Sequence, residues 1–196
     1  MRVAVLSDIH DNIWKLAGVL RAVESADLLI CCGDLCSPFV IHQIGRGFPN
    51  PVHIVFGNND GDQFRIATNA RSYRHVKIHG EFLRIDCGGK RIAAVHYDNL
   101  ARPLAAAGEF DVVCFGHNHV YELGRAGKTL LVNPGAVMGA AFAPAGSAVD
   151  VASTYAVYDT ASDVATGYEI DSTTNKPSVV GSTEKSSSKP SPVVGG

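Results

Sequence analysis

The chain has 196 residues, 46% of them hydrophobic, and a formal net charge of −2 at pH 7. That length suffices for one well-buried domain, and the near balance of charge gives no electrostatic case for a nucleic-acid or membrane partner. No apolar run approaches the roughly 20 residues that span a bilayer, and Met1–Leu6 reaches the polar Ser7-Asp8 too early for a signal peptide.

Residues 2–6 form a short apolar run with β-branched members, the pattern of a strand covered on both faces. Asp11 or Asn12 then caps a helix whose apolar face is Ile13, Leu16, Leu20 and Val23. Residues 27–32 are the next apolar run, so the chain opens with a right-handed βαβ unit and a parallel sheet. Ser37-Pro38 predicts a helix start, with Pro at the first helical position and an end near Gly45. Residues 52–56 read as the third strand. Residues 61–80 hold the basic cluster Arg65, Arg71, Arg74, His75 and Lys77, read as a solvated face.

Later segments read as hairpins. Residues 81–86 and 90–95 flank Gly88-Gly89. A short helix over 100–107 leads to a strand over 111–115. Two more hairpins pair 121–123 with 129–132 and 155–158 with 164–170. A parallel front and a hairpin-rich back predict two sheets packed face to face with helices outside. From Asp171 onward Ser, Thr, Lys, Pro and Gly dominate, and the segment Lys176-Pro-Ser-Val-Val-Gly returns imperfectly at Lys189. This composition predicts a 1–170 domain and a disordered 171–196 tail. The five cysteines include no C-x-x-C pair; Cys31, Cys32 and Cys114 lie in apolar runs. They read as free thiols in a reducing cytoplasm.

Metal-binding side chains close several apolar runs: Asp8 and His10 in Asp-Ile-His, Asp34 after Gly33, Asn58 in Gly-Asn-Asn-Asp, His96 after Val95, and His117 and His119 in Gly-His-Asn-His. Each alone has an ordinary explanation as a cap, a turn or a structural histidine. Seven of them just after predicted strands fall at the carboxyl edge, where open α/β sheets bind ligands. Oxygen and imidazole donors without thiolate suit Mn²⁺, Fe²⁺, Zn²⁺, Co²⁺ or Ni²⁺. One carboxylate, Asp34, has the two oxygens needed to bridge a pair of ions roughly 3.5–4 Å apart.

The ordered set D-x-H, G-D, G-N-x-D, H and G-H-x-H, with Asn133-Pro134-Gly135, resembles the calcineurin-like metallophosphoesterases, especially their short bacterial and archaeal phosphodiesterase branch. The resemblance implies an α/β/β/α four-layer sandwich. It further implies two divalent ions, manganese foremost: one held by Asp8, His10, Asp34 and His119, the other by Asp34, Asn58, His96 and His117. A hydroxide bridging the ions would attack a small phosphate ester, most readily a diester, with His117 and His119 as ligands rather than nucleophiles. Many relatives carry His where this chain has Asn59, there to assist the leaving group; an amide cannot act as a general acid. Asp60 is expected to support that loop. Tyr97 stands where the family commonly has Gly, which predicts a narrowed site, a ring stacked on substrate, or a half-buried strand-end tyrosine. Two other functions compete: a protein-binding scaffold like the retromer subunit Vps29, which has lost part of its metal set, and a non-catalytic metal-binding protein. The sequence names no oligomeric state.

Overall fold

The computed structural model describes residues 1–142, 146–171, 173–174 and 176–184. The chain begins with β1 (Arg2–Leu6), α1 (Ile13–Ala22), β2 (Leu28–Cys31), α2 (Val40–Gly47), β3 (Val52–Ile54), α3 (Gln63–Ala70) and β4 (Val76–Ile78). β1, β2, β3 and β4 pair in parallel, in that order. Side chains alternate along each strand: Ala4, Leu6, Leu29 and Cys31 join the core beneath the helices. Val3, Val5, Leu28 and Ile30 face the second sheet, the two-residue period of a strand buried on both faces.

The helix signals worked unevenly. Asn12 is the α1 cap, its side chain accepting from Lys15 N at 3.1 Å. The buried face is Leu16, Val19 and Leu20, whereas Ile13, expected in the core, is 44% exposed. α2 begins at Val40 rather than Pro38, because Ser37–Phe39 first makes a turn closed by Val40 N on Ser37 O at 3.2 Å. Residues 61–80, given no elements from sequence, carry α3 and β4. The signal was present in the Asp62 cap, which accepts from Arg65 N at 2.9 Å. Arg65, Arg71, Arg74 and Lys77 are exposed, in keeping with a solvated face.

The second half begins with β5 (Phe82–Cys87), β6 (Lys90–Val95), α4 (Asp98–Ala107) and β7 (Val112–Cys114). It continues with β8 (Glu122–Ala126), β9 (Thr129–Asn133), the short pair β10 (Ala140–Phe142) and β11 (Ala148–Asp150), then β12 (Ser153–Asp159), β13 (Val164–Ile170) and β14 (Pro177–Ser182). β5–β6–β7–β9–β8 form a five-stranded sheet, while β12 joins β1 to give the seven-stranded order β14–β13–β12–β1–β2–β3–β4. Three cores result: α1–α3 against the large sheet, sheet against sheet, and α4 against the smaller sheet. This is the four-layer α/β/β/α sandwich. The pair β10–β11 had no sequence expectation.

The tail needs a correction. Its first copy of the repeated segment is not disordered but forms β14, the outer strand of the large sheet. A backbone ladder needs no apolar side chains, so composition concealed it. Gly167 and Gly181 leave room for the Tyr121 ring; a Cβ on Gly181 would meet its hydroxyl at 2.8 Å. Residues 185–196, with the second copy, lie outside the described residues. None of the five cysteines is in a disulfide, and no described helix is long and apolar enough to cross a membrane.

Candidate metal centre

Strands β1, β2, β3, β6 and β7 run parallel within their sheets, and the loops leaving their carboxyl ends meet over one edge. β1 delivers Asp8 and His10, β2 Asp34, β3 Asn58 and Asn59, β6 His96, and β7 His117 and His119. All seven sequence-predicted donors converge there. His10 Nε2 lies 3.1 Å from His119 Nε2. Asp8 Oδ1 is 3.4 Å from His119 Nε2 and 3.8 Å from His10 Nε2. On the other side, Asn58 Oδ1 is 3.0 Å from His96 Nε2 and 2.9 Å from His117 Nδ1. Asp34 Oδ2 stands between the halves, 3.4 Å from His10 Nε2 and 3.5 Å from His96 Nε2.

These residues fit divalent ions. Ligands at 2.0–2.2 Å from an ion and at right angles are about 3 Å apart, close to the spacings found. Asp8 Oδ1 is buried with no hydrogen-bond partner, an orphaned anionic oxygen that a cation would satisfy. Asp8–His10–His119 and Asp8–Asp34–His96 each bring three donor atoms within 4.8 Å of one another. The imidazoles are oriented from behind. His96 Nδ1–H donates to Cys32 O at 2.7 Å and His119 Nδ1–H to Ala140 O at 2.7 Å, turning both Nε2 atoms inward. The unforeseen β10 therefore supplies a carbonyl that sets one ligand's tautomer.

Charge is tuned accordingly. Burial raises the Asp8 carboxyl, but the nearby His10 and His119 imidazoles and the Ser7 hydroxyl outweigh it and hold the group well below the usual range. Asp34 is lowered too: burial opposes, while His96 and Asn59 prevail. Burial lowers His96 and His119, yet Asp34 and Asp8 raise both on balance. The backbone is also held out of its ordinary wells. Of the eight non-glycine residues with positive φ among the described residues, seven lie here: Asp8, His10, Asp11, Asp34, Cys36, His117 and His119. Such conformations cost of order 1 kcal/mol or more each and gather at functional sites. Gly116 is required by contact: a Cβ there would run into Ser7 Oγ and lie 2.6 Å from Asp8 Oδ2.

Asp60 is the clamp. Only 5% exposed, its carboxylate accepts four backbone N–H groups: Gly57 at 2.7 Å, Leu35 at 2.8 Å, Cys36 at 3.0 Å and Asp34 at 3.1 Å. It thereby ties the Asp34 loop to the Asn58 loop. Burial lifts its pKa above the ordinary value, with the Gly57 and Cys36 N–H groups pulling the other way. Asn59, expected on the leaving-group side, is engaged with a neighbouring loop. Its side-chain amide donates to Asp34 Oδ2 at 2.8 Å and its backbone N–H to Asp34 Oδ1 at 2.8 Å, so it braces the Asp34 carboxylate. The half-buried Tyr97 ring packs edge-on to His96 and His117, with centroids 5.1 and 4.9 Å away.

One contributor, Cys36, had no expectation from sequence, and Asn133 of the Asn-Pro-Gly motif gains a role. Cys36 Sγ lies 3.5 Å from His10 Nδ1; its place two residues after Asp34, outside any apolar run, was the available signal. Asn133 donates to Asn118 Oδ1 at 2.9 Å and accepts from Gly135 N, fixing the loop that carries both late histidines.

Comparison with known proteins places the chain in a family. The chain is 25% identical over 143 residues to phosphodiesterase MJ0936 of Methanocaldococcus jannaschii, covering 71% of this chain and 86% of that protein. The structure of an archaeal phosphodiesterase superposes with a TM-score of 0.74 at 20% identity, over 92% of this chain and all of that one. Vacuolar protein sorting 29 from Cryptosporidium parvum shares the fold, with a TM-score of 0.67 at 19% identity over 94% and 98% of the two chains. Residues 1–163 match the family model of the calcineurin-like phosphoesterase superfamily domain, and with that span covering the smaller sheet, β1–β4 and β12 of the larger one, and every donor, the chain belongs to the calcineurin-like phosphoesterases.

Proposed function

We propose that the protein is a phosphodiesterase dependent on two divalent ions, manganese foremost, that hydrolyses a small phosphate ester. The observation that carries this reading is Asp34 Oδ2, within 3.5 Å of a histidine from each donor group, the position of a carboxylate shared by two ions. Asp8, His10 and His119 would complete one ion's ligands; Asn58, His96 and His117 the other's. Ions bound there would neutralise phosphoryl charge and activate the attacking water.

The chain's own groups hold that arrangement. Asp60 fixes the two loops, Asn59 orients Asp34, and the carbonyls of Cys32 and Ala140 keep the protons of His96 and His119 on Nδ1. With Asn59 engaged on Asp34, its amide offers the departing oxygen no proton, so esters of acidic alcohols should react fastest. A scaffold role like that of Vps29 draws support from shared fold alone, whereas the complete donor set favours an enzyme. The free thiols suit a reducing cytoplasm.

The test is hydrolysis of bis(p-nitrophenyl) phosphate by protein stripped and reloaded with Mn²⁺, alongside metal analysis. Turnover with about two ions per chain, both lost in Asp34→Asn, is expected. Two ions without turnover on any phosphate ester would leave a metal-binding protein; one ion or none would refute the shared carboxylate.

A further inference from the structure

Three large apolar side chains of the described chain are more than two-thirds exposed: Trp14 (77%), Phe39 (71%) and Phe64 (84%). They share one location. Trp14 is the second residue of α1, Phe39 immediately precedes α2, and Phe64 is the second residue of α3. Each helix comes after a loop bearing donors of the metal centre: Asp8 and His10, then Asp34, then Asn58.

The same loops are tied together. Ser37 N donates to Asp11 Oδ1 at 2.9 Å, Gly61 N to Cys36 O at 3.4 Å, Gln43 Nε2 to Ile13 O at 2.6 Å, and Asn69 Nδ2 to Pro38 O at 3.0 Å. The aromatic side chains therefore stand on adjacent helix ends along one flank of the donor cluster. They do not serve the core, which takes Leu16, Ile41 and Ile66 from these helices. Among the described residues no ring contact joins them to one another, so their faces are open. Single exposed aromatics are ordinary; the three most exposed large apolar residues bordering one site are not. The flank also offers little for an anion, because Arg65 is paired with Asp62 at 3.5 Å, and Asp11 and Asp62 add negative charge.

We propose that Trp14, Phe39 and Phe64 form an aromatic rim that takes the flat ring of a phosphodiester's organic group, with a nucleobase as the fitting chemistry. This rests on the phosphodiesterase reading and deepens it: the metals take the phosphoryl group, and the rim selects what is attached to it. Stacking on aromatic side chains tolerates any base, since every base has a π-face, and changes affinity by about 5- to 150-fold per base.

Two esters with the same leaving group isolate the effect: methyl p-nitrophenyl phosphate and thymidine 5′-(p-nitrophenyl) phosphate, assayed on the Mn²⁺-loaded full chain. The expected result is a kcat/KM ratio favouring the nucleoside ester by about 5- to 150-fold, expressed mainly in KM. The ratio should fall toward one in the triple variant Trp14→Ala, Phe39→Ala, Phe64→Ala, whose melting temperature should stay near that of the parent. A parent ratio near one, or a ratio surviving in the triple variant, overturns the rim. If neither ester is turned over, the phosphodiesterase reading fails and the rim is judged by fluorescence of Trp14, the chain's single tryptophan. Saturable quenching by adenosine monophosphate that weakens in Phe39→Ala supports it. No quenching, or a response to phosphatidylcholine vesicles instead, reassigns the surface and overturns it.

Discussion

Asp60→Asn should damage the fold and the metal centre together. The carboxylate is 5% exposed and accepts four backbone N–H groups, two on each oxygen. Asparagine keeps one oxygen and sets an NH₂ against the other two donors, so at least two charge-assisted bonds are lost and two buried N–H groups go unpaired. At about 1.5–3 kcal/mol per hydrogen bond to a charged group, the two lost bonds cost about 3–6 kcal/mol. For a domain of this size that lowers Tm by roughly 6–24 °C. Urea unfolding of the metal-free protein, followed by far-UV circular dichroism, avoids the added stability of bound ions. Asp62→Asn, two residues on, is the matched control: its cap role suits Asn equally, its pair with Arg65 is exposed, and its cost should stay under about 0.5 kcal/mol. If Asp60→Asn falls within about 1 kcal/mol of that control, the four-bond clamp is not what holds the loops.

Other consequences are as direct. Asn59→Ala should weaken metal retention, because Asp34 loses its side-chain amide donor while keeping the backbone one, yet leave unchanged the dependence of rate on leaving-group pKa across a series of aryl esters; a steeper dependence would return Asn59 to the leaving-group side. Gly116→Ala should cost about 2–3 kcal/mol and deplete bound metal, since the added methyl meets Ser7 and Asp8; a stable, fully loaded variant would show that this contact relaxes freely. The pair His53–His79, bonded at 2.8 Å, sets an acid limit. Burial first, then His79 and Lys77, lowers His53 to about 4, so below the unfolded value near 6.5 the unfolded chain binds the extra proton. Stability should be full above pH 6.5 and decline as pH falls toward 4. His53→Gln should flatten that part of a Tm–pH profile, and an unchanged slope would assign it elsewhere.

The sequence determined the donors and their order. Asp8, His10, Asp34, Asn58, His96, His117 and His119 each close an apolar run, and a parallel strand delivers the residues of its exit loop to the carboxyl edge of the sheet. The strand core was legible for the same reason: Val3, Val5 and Ile30 alternate with Ala4, Leu6 and Leu29 at the two-residue period. Elements held by main-chain hydrogen bonds left no such mark, and so β10 and β14 went unread in segments without apolar periodicity. The roles of Asn59, Cys36 and Asp60 also waited on tertiary structure. Apart from Gly57, their partners lie 24 to 26 positions away along the chain, and which atom of an amide, thiol or carboxylate meets which neighbour is fixed by how two loops settle against each other. A local pattern records which side of a strand or helix is apolar; it carries no record of the hydrogen bonds made between loops.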